Sequence, residues 1–318
     1  MNMRTQGTAF LLLALILGTI GACAQPREWR IDSAQTLQDL KLLASDSLQG
    51  RATGTEGGKM ARMYVKNRMV TMGLTAYVPD YFQNFKAITP EGDSIAATNV
   101  IGFVPGTSKG PALVISAHYD HLGIHEGEIF NGADDNASGV AAMLAIAEYY
   151  TRNQPEHSIL FVAFDAEEMG LQGARYFVKS LVAEADSLVF NLNLDMVSRS
   201  YERRLYASGT YHSPYLKPWL ESVKDSTQWG VELRFGHDRP RGHLEDWTFS
   251  SDHAAFHHAG IPFLYMGVED HNDYHKATDV FWTIDQDFYL SVVELILETS
   301  LILDEALPDI AQMQRSEE

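Results

Sequence analysis

The sequence contains a single cysteine, Cys23, in 318 residues. One thiol cannot form an internal disulfide, so the protein is not one of the small secreted scaffolds held together by cysteine pairs. Its longest apolar run, 9–20, is also shorter than the roughly 20 residues that a membrane-spanning helix needs. No repeat, low-complexity tract or Pro/Ser-rich linker divides the rest of the chain. The composition therefore indicates one large domain with a sizeable core.

Basic residues are few. The chain has 24 Lys and Arg against 42 Asp and Glu, which gives a formal net charge of −18. Nucleic acid binding depends on a basic surface that neutralises phosphates, so this balance argues against nucleic acid as a partner. The charge favours solubility and says nothing about the fold.

The start of the chain has the pattern of an export signal. Arg4 supplies a positive residue, the apolar run 9–20 follows it, and small residues come next. Such a segment is removed from the mature protein and does not belong to its fold. We therefore predict a signal peptide at 1–22 and a single domain over 23–318.

Two processing routes are open at the end of this signal. Residues 20–23, Ile-Gly-Ala-Cys, resemble a bacterial lipobox, in which Cys23 becomes the lipidated first residue and anchors the protein to a membrane. Cleavage after Ala24 would instead release a soluble protein that begins at Gln25. Both routes export the protein, either as a periplasmic or cell-surface lipoprotein of a bacterium or as a secreted soluble protein.

Apolar periodicity predicts alternating strands and helices. Helical spacing occurs at 33–44, 56–72, from 137 onward, and at 171–181, 214–223 and 286–303. Near-continuous apolar runs predict strands at 82–88, 99–104, 111–117, 158–164, 188–194, 231–235 and 262–266. This alternation indicates βαβ units, and we predict a three-layer α/β/α sandwich around a largely parallel mixed central sheet.

The segment 106–110, Gly-Thr-Ser-Lys-Gly, matches the G-x-S-x-G pattern of serine hydrolases. A nucleophile elbow lies between a strand and a helix, whereas another apolar strand follows here. We interpret the segment as the polar turn of a hairpin.

Polar side chains collect where the predicted strands end. His118 closes one strand, the pair 167–168 and Asp195 follow two others, and His275 follows the last by a loop. In open α/β sheets, ligands bind at the carboxyl ends of the strands. One acid of the pair 134–135 completes a set of two histidines and three carboxylates. Such a set suits two zinc ions. The charges balance too, because two Zn²⁺, three carboxylates and one bridging hydroxide sum to zero.

These residues sit in motifs that resemble a known family. The motifs are HYD (118–120), GADDNASG (132–139), DAEEMGLQGA (165–174), NLDM (193–196), SDHAAF (251–256), GIPFL (260–264) and YHKATD (274–279). They resemble those of the co-catalytic dizinc exopeptidases, typified by secreted bacterial leucyl aminopeptidases and by glutamate carboxypeptidase II. The similarity begins near LQGRATGT (48–55) and covers most of the mature chain in the same order.

The resemblance implies a complete set of metal ligands. They are His118 and Asp195 for one zinc ion, Glu168 and His275 for the other, and Asp135 as the bridge between them. Asp134 is the alternative bridge.

The resemblance also implies three catalytic roles. Glu167 would be the general base that takes a proton from the attacking water and passes it to the leaving amine. Asp120 would orient His118 by accepting its other ring N–H. Tyr274 would donate its hydroxyl to the developing oxyanion.

The surroundings of the substrate are less defined. Ser251 and Asp252 are expected near the site without an assigned role, and His253 either belongs to a helix face with His257 and His258 or lies in the pocket wall. Met196, Phe249 and Phe256 are candidates for an apolar wall around the substrate side chain. The polar segment 237–247 is either a substrate lid or a surface loop.

Three functions are compatible with this sequence. The first is an exported aminopeptidase that removes N-terminal residues from peptides by the two-metal mechanism. The second is a glutaminyl-peptide cyclotransferase, a single-zinc acyltransferase on the same fold. Those enzymes typically have Trp where this chain has Tyr274, which favours hydrolysis. The third is a surface lipoprotein that keeps the fold for binding alone.

Overall fold

The central strands are the near-continuous apolar runs of the sequence, the pattern of strands covered on both faces. The computed structural model describes residues 28–181, 188–224, 229–240 and 244–317. The predicted signal peptide and Cys23 lie outside these residues. Among them, every residue of the strands 112–118 and 188–194 is buried.

Nine strands of the described residues form one mixed sheet in the order β1-β3-β7-β4-β8-β11-β9-β10, with β2 also paired to β3. Their bounds are β1 Thr75–Ala76, β2 Phe82–Ile88, β3 Ser94–Val104, β4 Ala112–His118, β7 Ser158–Phe164, β8 Leu188–Leu194, β9 Arg204–Ser208, β10 Glu232–Phe235 and β11 Phe263–Gly267. The strands β7, β4, β8 and β11 are parallel to one another, and antiparallel pairs flank them on both sides. A separate hairpin consists of β5 Gly123–His125 and β6 Glu128–Phe130.

Helices cover both faces of the sheet. They are α1 Ser33–Leu43, α2 Glu56–Met72, α3 Gly139–Arg152, α4 Gln172–Leu181, α5 Lys217–Lys224, α6 His253–His258 and α7 Gln286–Glu317. One core lies beneath α1, α2, α3, α5 and α7, and a smaller one lies beneath α4 and α6. Because side chains alternate along a strand, Leu113 and Ile115 of β4 enter the larger core while Val114 enters the smaller. The predicted three-layer α/β/α sandwich is confirmed.

Three features differ from the sequence expectations. The segment 106–110 is not a hairpin turn, because β7 lies between β3 and β4 in the sheet. Strands β1, β5, β6 and β9 are additional elements, and β9 is a short strand with a charged start that pairs parallel to β10. Helix α7 continues well beyond residue 303, since Leu307 and Ile310 extend its buried face.

Pro308 lies inside this extended part of α7. A proline has no N–H, so the carbonyl four residues earlier, that of Asp304, receives no helical hydrogen bond from it. His157 donates to that carbonyl instead, with its Nδ1 at 2.9 Å, and the Asp304 carboxylate accepts the backbone N–H of His157 at 2.9 Å. The last helix is thereby fixed to the start of β7.

The segment before α1 is also fixed to α7. Glu294, which is fully buried, accepts the backbone N–H of Ile31 at 3.0 Å and the Nε of Arg30 at 2.7 Å. A buried carboxylate is stable only when it is paired and hydrogen-bonded, as here. Among the described residues, no helix has the length and apolar character needed to cross a bilayer.

Candidate metal centre

The parallel centre of the sheet brings the predicted ligands together. His118 is the last residue of β4, and Asp195 directly follows β8, the strand next to it. The pair 167–168 follows β7, the neighbour of β4 on its other side. Since parallel strands present their carboxyl ends at one edge, these side chains meet there, and the turn before α3 adds Asp135.

The first group of potential ligands consists of His118, Asp135 and Asp195, all of them buried. The Nε2 atom of His118 lies 3.4 Å from Oδ1 of Asp135 and 3.3 Å from Oδ1 of Asp195. Zinc ligands at about 2.0–2.1 Å from the ion in a tetrahedron lie roughly 3.3 Å from each other. The distances and the mixture of imidazole and carboxylate therefore fit a zinc ion.

His118 presents the correct nitrogen to such an ion. Its Nδ1 lies 3.1 Å from the backbone carbonyl oxygen of Asp120, to which it donates, so Nε2 is the ring nitrogen that faces Asp135 and Asp195. The structure differs here from the sequence prediction, because Oδ1 of the Asp120 carboxylate is farther away, at 3.8 Å. That carboxylate instead accepts the backbone N–H groups of Glu167 at 3.1 Å and Glu168 at 3.3 Å. Asp120 thus also positions the acidic pair.

The second group surrounds the other oxygen of Asp135. Nε2 of His275 lies 3.1 Å from Asp135 Oδ2 and 3.5 Å from Glu168 Oε2. His121, which the sequence analysis did not select, is also here, with Nδ1 2.8 Å from Glu168 Oε1 and 3.7 Å from Asp135 Oδ2. Asp135 is therefore shared by two groups of potential metal ligands.

Asp134 is occupied elsewhere. Its carboxylate accepts the N–H of Ser198 at 2.7 Å and the Ser198 hydroxyl at 2.6 Å, and Nε2 of His271 donates to its other oxygen at 3.1 Å. A carboxylate with these three partners cannot also turn to the ligand groups, which leaves Asp135 as the bridging candidate.

Two residues outside the predicted set hold the bridging segment. The Asp279 carboxylate accepts the backbone N–H groups of Asp134 at 3.0 Å and Asp135 at 3.2 Å. Arg51 is buried and donates to the carbonyl oxygens of Tyr119 at 2.9 Å and Gly132 at 3.0 Å. The available sequence signals were an Arg in the motif LQGRATGT and the final Asp of YHKATD.

Opposite charges dominate the electrostatics of the site. Burial lowers the pKa of His118, but Asp195, Glu167 and Asp135 together raise it well above its usual value. Burial raises the pKa of Asp135, yet His121, His118 and His275 bring it well below its usual value. The carboxylate between the two groups is thus ionised, as a bridging ligand must be.

The ligand groups open into a cavity of about 450 Å³. Glu167 lines it, with Oε2 4.0 Å from Nε2 of His118, and burial raises the pKa of Glu167 well above its usual value although His118 opposes this. Tyr274 also lines the cavity and stacks on His275, with ring centroids 3.9 Å apart. A proton acceptor and a hydroxyl donor therefore face the same space.

The predicted apolar wall is present in part. Met196 and Phe249 line the cavity, but Phe256 does not, because it packs with Phe164 and Phe177 in the smaller core. His253 is fully buried, and its Nε2 donates to the carbonyl of Trp247 at 2.8 Å.

The segment 237–247 contributes to the cavity with Glu245 and Trp247. Its described part is anchored, since His237 stacks on Trp247 with ring centroids 3.5 Å apart. Residues 241–243 lie outside the described part of the chain. The segment therefore borders the cavity, and its role as a lid stays a prediction.

Ser251 and Asp252 lie beside the first group. The Ser251 hydroxyl accepts Nδ2 of Asn193 at 2.9 Å, and it opposes the rise that burial causes in the pKa of Asp195. Both carboxylate oxygens of Asp252 are buried without a hydrogen-bond partner among the described residues, and burial raises the pKa of this group to about 7. Ser251 and Asp252 thus both lie close to Asp195, one as a hydroxyl and the other as an acidic group.

Known proteins resemble this chain over most of its length. The aminopeptidase YwaD of Bacillus subtilis is 36% identical over 166 residues, which cover 51% of this chain and 34% of that protein. The leupeptin-inactivating enzyme 1 of Streptomyces exfoliatus is 30% identical over 242 residues, which cover 73% of this chain and 48% of that protein. The chain thus spans between a third and a half of the length of these curated relatives.

Solved structures share the fold. A zinc aminopeptidase from Bacillus subtilis superimposes with a TM-score of 0.69 at 20% identity, covering 86% of this chain and 96% of that one. The glutaminyl cyclase of Porphyromonas gingivalis gives a TM-score of 0.72 at 18% identity, with coverages of 86% and 99%. The model of peptidase family M28 matches residues 99–300, which contain every residue of the two ligand groups. This match spans more than half of the sequence, and the chain belongs to peptidase family M28.

Proposed function

We propose that this protein is a zinc-dependent aminopeptidase that hydrolyses the N-terminal peptide bond of peptides at a two-metal centre. The observation that carries the proposal is the sharing of Asp135, which lines the cavity, between two groups of potential ligands. Aminopeptidases are among the enzymes that use two neighbouring metal ions, and Asp135 would be the residue that both ions share. The names of the relatives, an aminopeptidase and a leupeptin-inactivating enzyme, support the same class of reaction.

Zinc, when bound, polarises the scissile carbonyl and makes water acidic enough to attack it near neutral pH. Glu167 accepts the proton of that water and returns it to the departing amine. Burial raises the pKa of Glu167, which favours proton acceptance, because a carboxylate with an ordinary pKa is a weak base near pH 7. The N–H of Glu167 is held by Asp120, which fixes the residue beside the ligands.

Tyr274 faces the same cavity and contributes a hydrogen bond to the oxyanion that forms as water adds to the carbonyl. Burial, with Asp135, Asp195 and Glu168 adding to it, raises the pKa of Tyr274 far above its usual value, so the hydroxyl keeps its proton. A neutral phenol is the form that can donate.

A glutaminyl cyclotransferase is the second candidate, favoured by the likeness in fold to the Porphyromonas enzyme. A single-zinc reaction needs one ligand group, whereas two groups meet at Asp135 in this chain. Tyr274 stands beside His275 and offers a hydroxyl to the cavity. Both features support hydrolysis over cyclisation. A protein that only binds is the third candidate and would keep the groups without turnover.

Incubation of the zinc-loaded protein with a mixed peptide pool separates the three functions. The pool contains free, acetylated and Gln-initiated N-termini, and mass spectrometry follows the products. Stepwise loss of residues from free N-termini alone is the expected result. Loss of ammonia from Gln-initiated peptides alone, above the spontaneous rate, would establish the cyclase. Zinc-loaded protein that leaves every peptide intact would be a binding protein.

We also propose that the protein is exported and that residues 23–318 form one peptidase domain. The pattern of residues 1–22 and the single Cys23 support this. Mass spectrometry of the mature N-terminus distinguishes a lipidated Cys23 from a free Gln25.

A further inference from the structure

His121 is the one imidazole of the site that neither the motifs nor the family resemblance assigns. It follows the HYD motif directly and is buried, with 2% of its surface exposed. Its Nδ1 is 2.8 Å from Oε1 of Glu168 and 3.7 Å from Oδ2 of Asp135. These are the same two carboxylates that His275 approaches.

The two histidines approach Glu168 from different sides. His121 contacts the Oε1 atom, and His275 contacts the Oε2 atom. Their ring centroids are 5.9 Å apart, with an angle of 60° between the planes. Two imidazoles that bind one zinc ion through Zn–N bonds of 2.0–2.1 Å have centroids roughly 5–6 Å apart. The arrangement is therefore that of two ligands around a shared position.

The packing around His121 fixes this orientation. A Cβ atom on Gly132 would lie 2.5 Å from Cδ2 and 2.6 Å from Cγ of His121, so the imidazole lies directly against the glycine backbone. The other ring nitrogen, Nε2, is buried and has no hydrogen-bond partner among the described residues. The polar contacts of the ring are thus made through Nδ1, toward the two carboxylates.

We propose that His121 is a ligand of the second metal ion, in addition to Asp135, Glu168 and His275. The second position is then held by one buried and one exposed histidine, since 39% of the His275 side chain is accessible. A neutral imidazole adds a ligand without changing the charge of the site. Zinc accepts a fifth ligand in catalytic sites, so all four residues leave room for water. This inference rests on the proposed metal centre.

The test measures zinc directly, so that it does not depend on turnover. The full protein is stripped with a chelator and reloaded, and bound zinc is determined by elemental mass spectrometry and by competition with a chromophoric chelator. Variants His121→Ala, His121→Asn, His275→Ala and the double alanine variant are compared. His125→Ala is the matched control, because His125 is exposed, contacts the carbonyl of Leu122 and the ring of Phe130, and belongs to neither ligand group.

We expect His275→Ala to bind two zinc ions, the second with lower affinity, and the double variant to bind one ion. It expects His121→Ala to weaken the second site by about 10–100-fold or more, the range found when even an outer partner is lost. His125→Ala should match the wild type. If His275→Ala alone already falls to one zinc ion, His121 is not a ligand.

His121→Asn separates a ligand from a residue that only orients Glu168. An Asn amide can donate to Glu168 from nearly the same place as Nδ1, but it is a poor zinc ligand. Zinc affinity and the visible spectrum of the cobalt-substituted protein should therefore change in this variant as in His121→Ala. Full recovery of both by Asn would overturn the proposal. Wild-type protein that binds fewer than two ions would instead refute the two-metal centre itself, a separate result.

Discussion

The two ligand groups share Asp135 but are built differently. In the first, His118 ends β4 and Asp195 follows β8, and their side chains are 1% and 10% exposed. In the second, Glu168 lies in the turn after β7, and His275 lies in a segment beyond β11 with 39% of its side chain exposed. Strand ends supply one group, and connecting segments supply most of the other.

This difference indicates a division of work between the two positions. Strands β4 and β8 are paired in register from Leu113 to Ser116, just before the ligands, so the first group is fixed by the sheet itself. The second group includes the exposed His275, which stacks on Tyr274, and both of these residues line the cavity. We expect the first ion to be held more tightly and the second to be more sensitive to substitution of the surrounding segment.

The largest effect is expected at the shared residue. Asp135→Ala removes a ligand from both groups, so zinc content should fall from two ions toward none and peptidase activity should disappear with it. Elemental analysis of the reloaded variant provides the measurement. Asp270→Asn is the control, because Asp270 lies in the same cavity outside both groups. A variant that still holds two zinc ions would show that the bridge is misassigned.

The next largest effect compares the two positions directly. His118→Ala should remove the more tightly held ion, because the remaining ligands of that group are two carboxylates only. His275→Ala should weaken the other ion less, since His121 stays beside it. Stepwise dissociation constants from chelator competition measure both. Equal losses in the two variants would contradict the difference between the groups.

A smaller effect is expected at Glu167, which lies beside the ligands and is not one of them. Glu167→Gln keeps the shape of the side chain but cannot accept a proton, so kcat should fall by about 10²–10⁴-fold with both zinc ions retained. Steady-state kinetics and metal analysis on the same sample test this. Near-normal turnover would remove Glu167 from the mechanism.

The smallest effect is expected on the cavity side of the second group. Tyr274→Phe removes one hydrogen bond to the oxyanion, and kcat should decrease by about 10²–10³-fold with little change in KM or zinc content. A changed KM with unchanged kcat would assign Tyr274 to substrate binding. Loss of zinc would show that stacking on His275 is its main contribution.

The sequence was sufficient where apolar patterning alone determines structure. The runs 158–164 and 188–194 were predicted with the bounds of β7 and β8, because strands buried on both faces leave a continuous apolar signal. The prediction of a hairpin at 106–110 was wrong, because β3 and β4 are consecutive in the sequence but are not neighbours in the sheet. Strand β9 was missed because its pairing partners, β10 and β11, come later in the chain.

The same limit applies to the site. The residues at strand ends were selected from spacing, and the structure brings all of them to one edge. His121 was not selected, because His118 already supplied the histidine of its motif. The contact of Asp120 with His118 was not predicted correctly, because it is made by a backbone carbonyl, which every residue has. Contacts of backbone atoms, and those fixed by a glycine such as Gly132, have little signature in sequence.

The contact between Arg30 and Glu294 has a consequence for how the protein acquires its structure. The two residues are 264 positions apart, and the buried carboxylate of Glu294 has its partners on the segment before α1. Contacts of such separation form late, because the loop between them must close first. During synthesis the larger core therefore cannot be completed until residue 294 has been added. A shorter nascent chain leaves the apolar residues of that core accessible to chaperones and proteases.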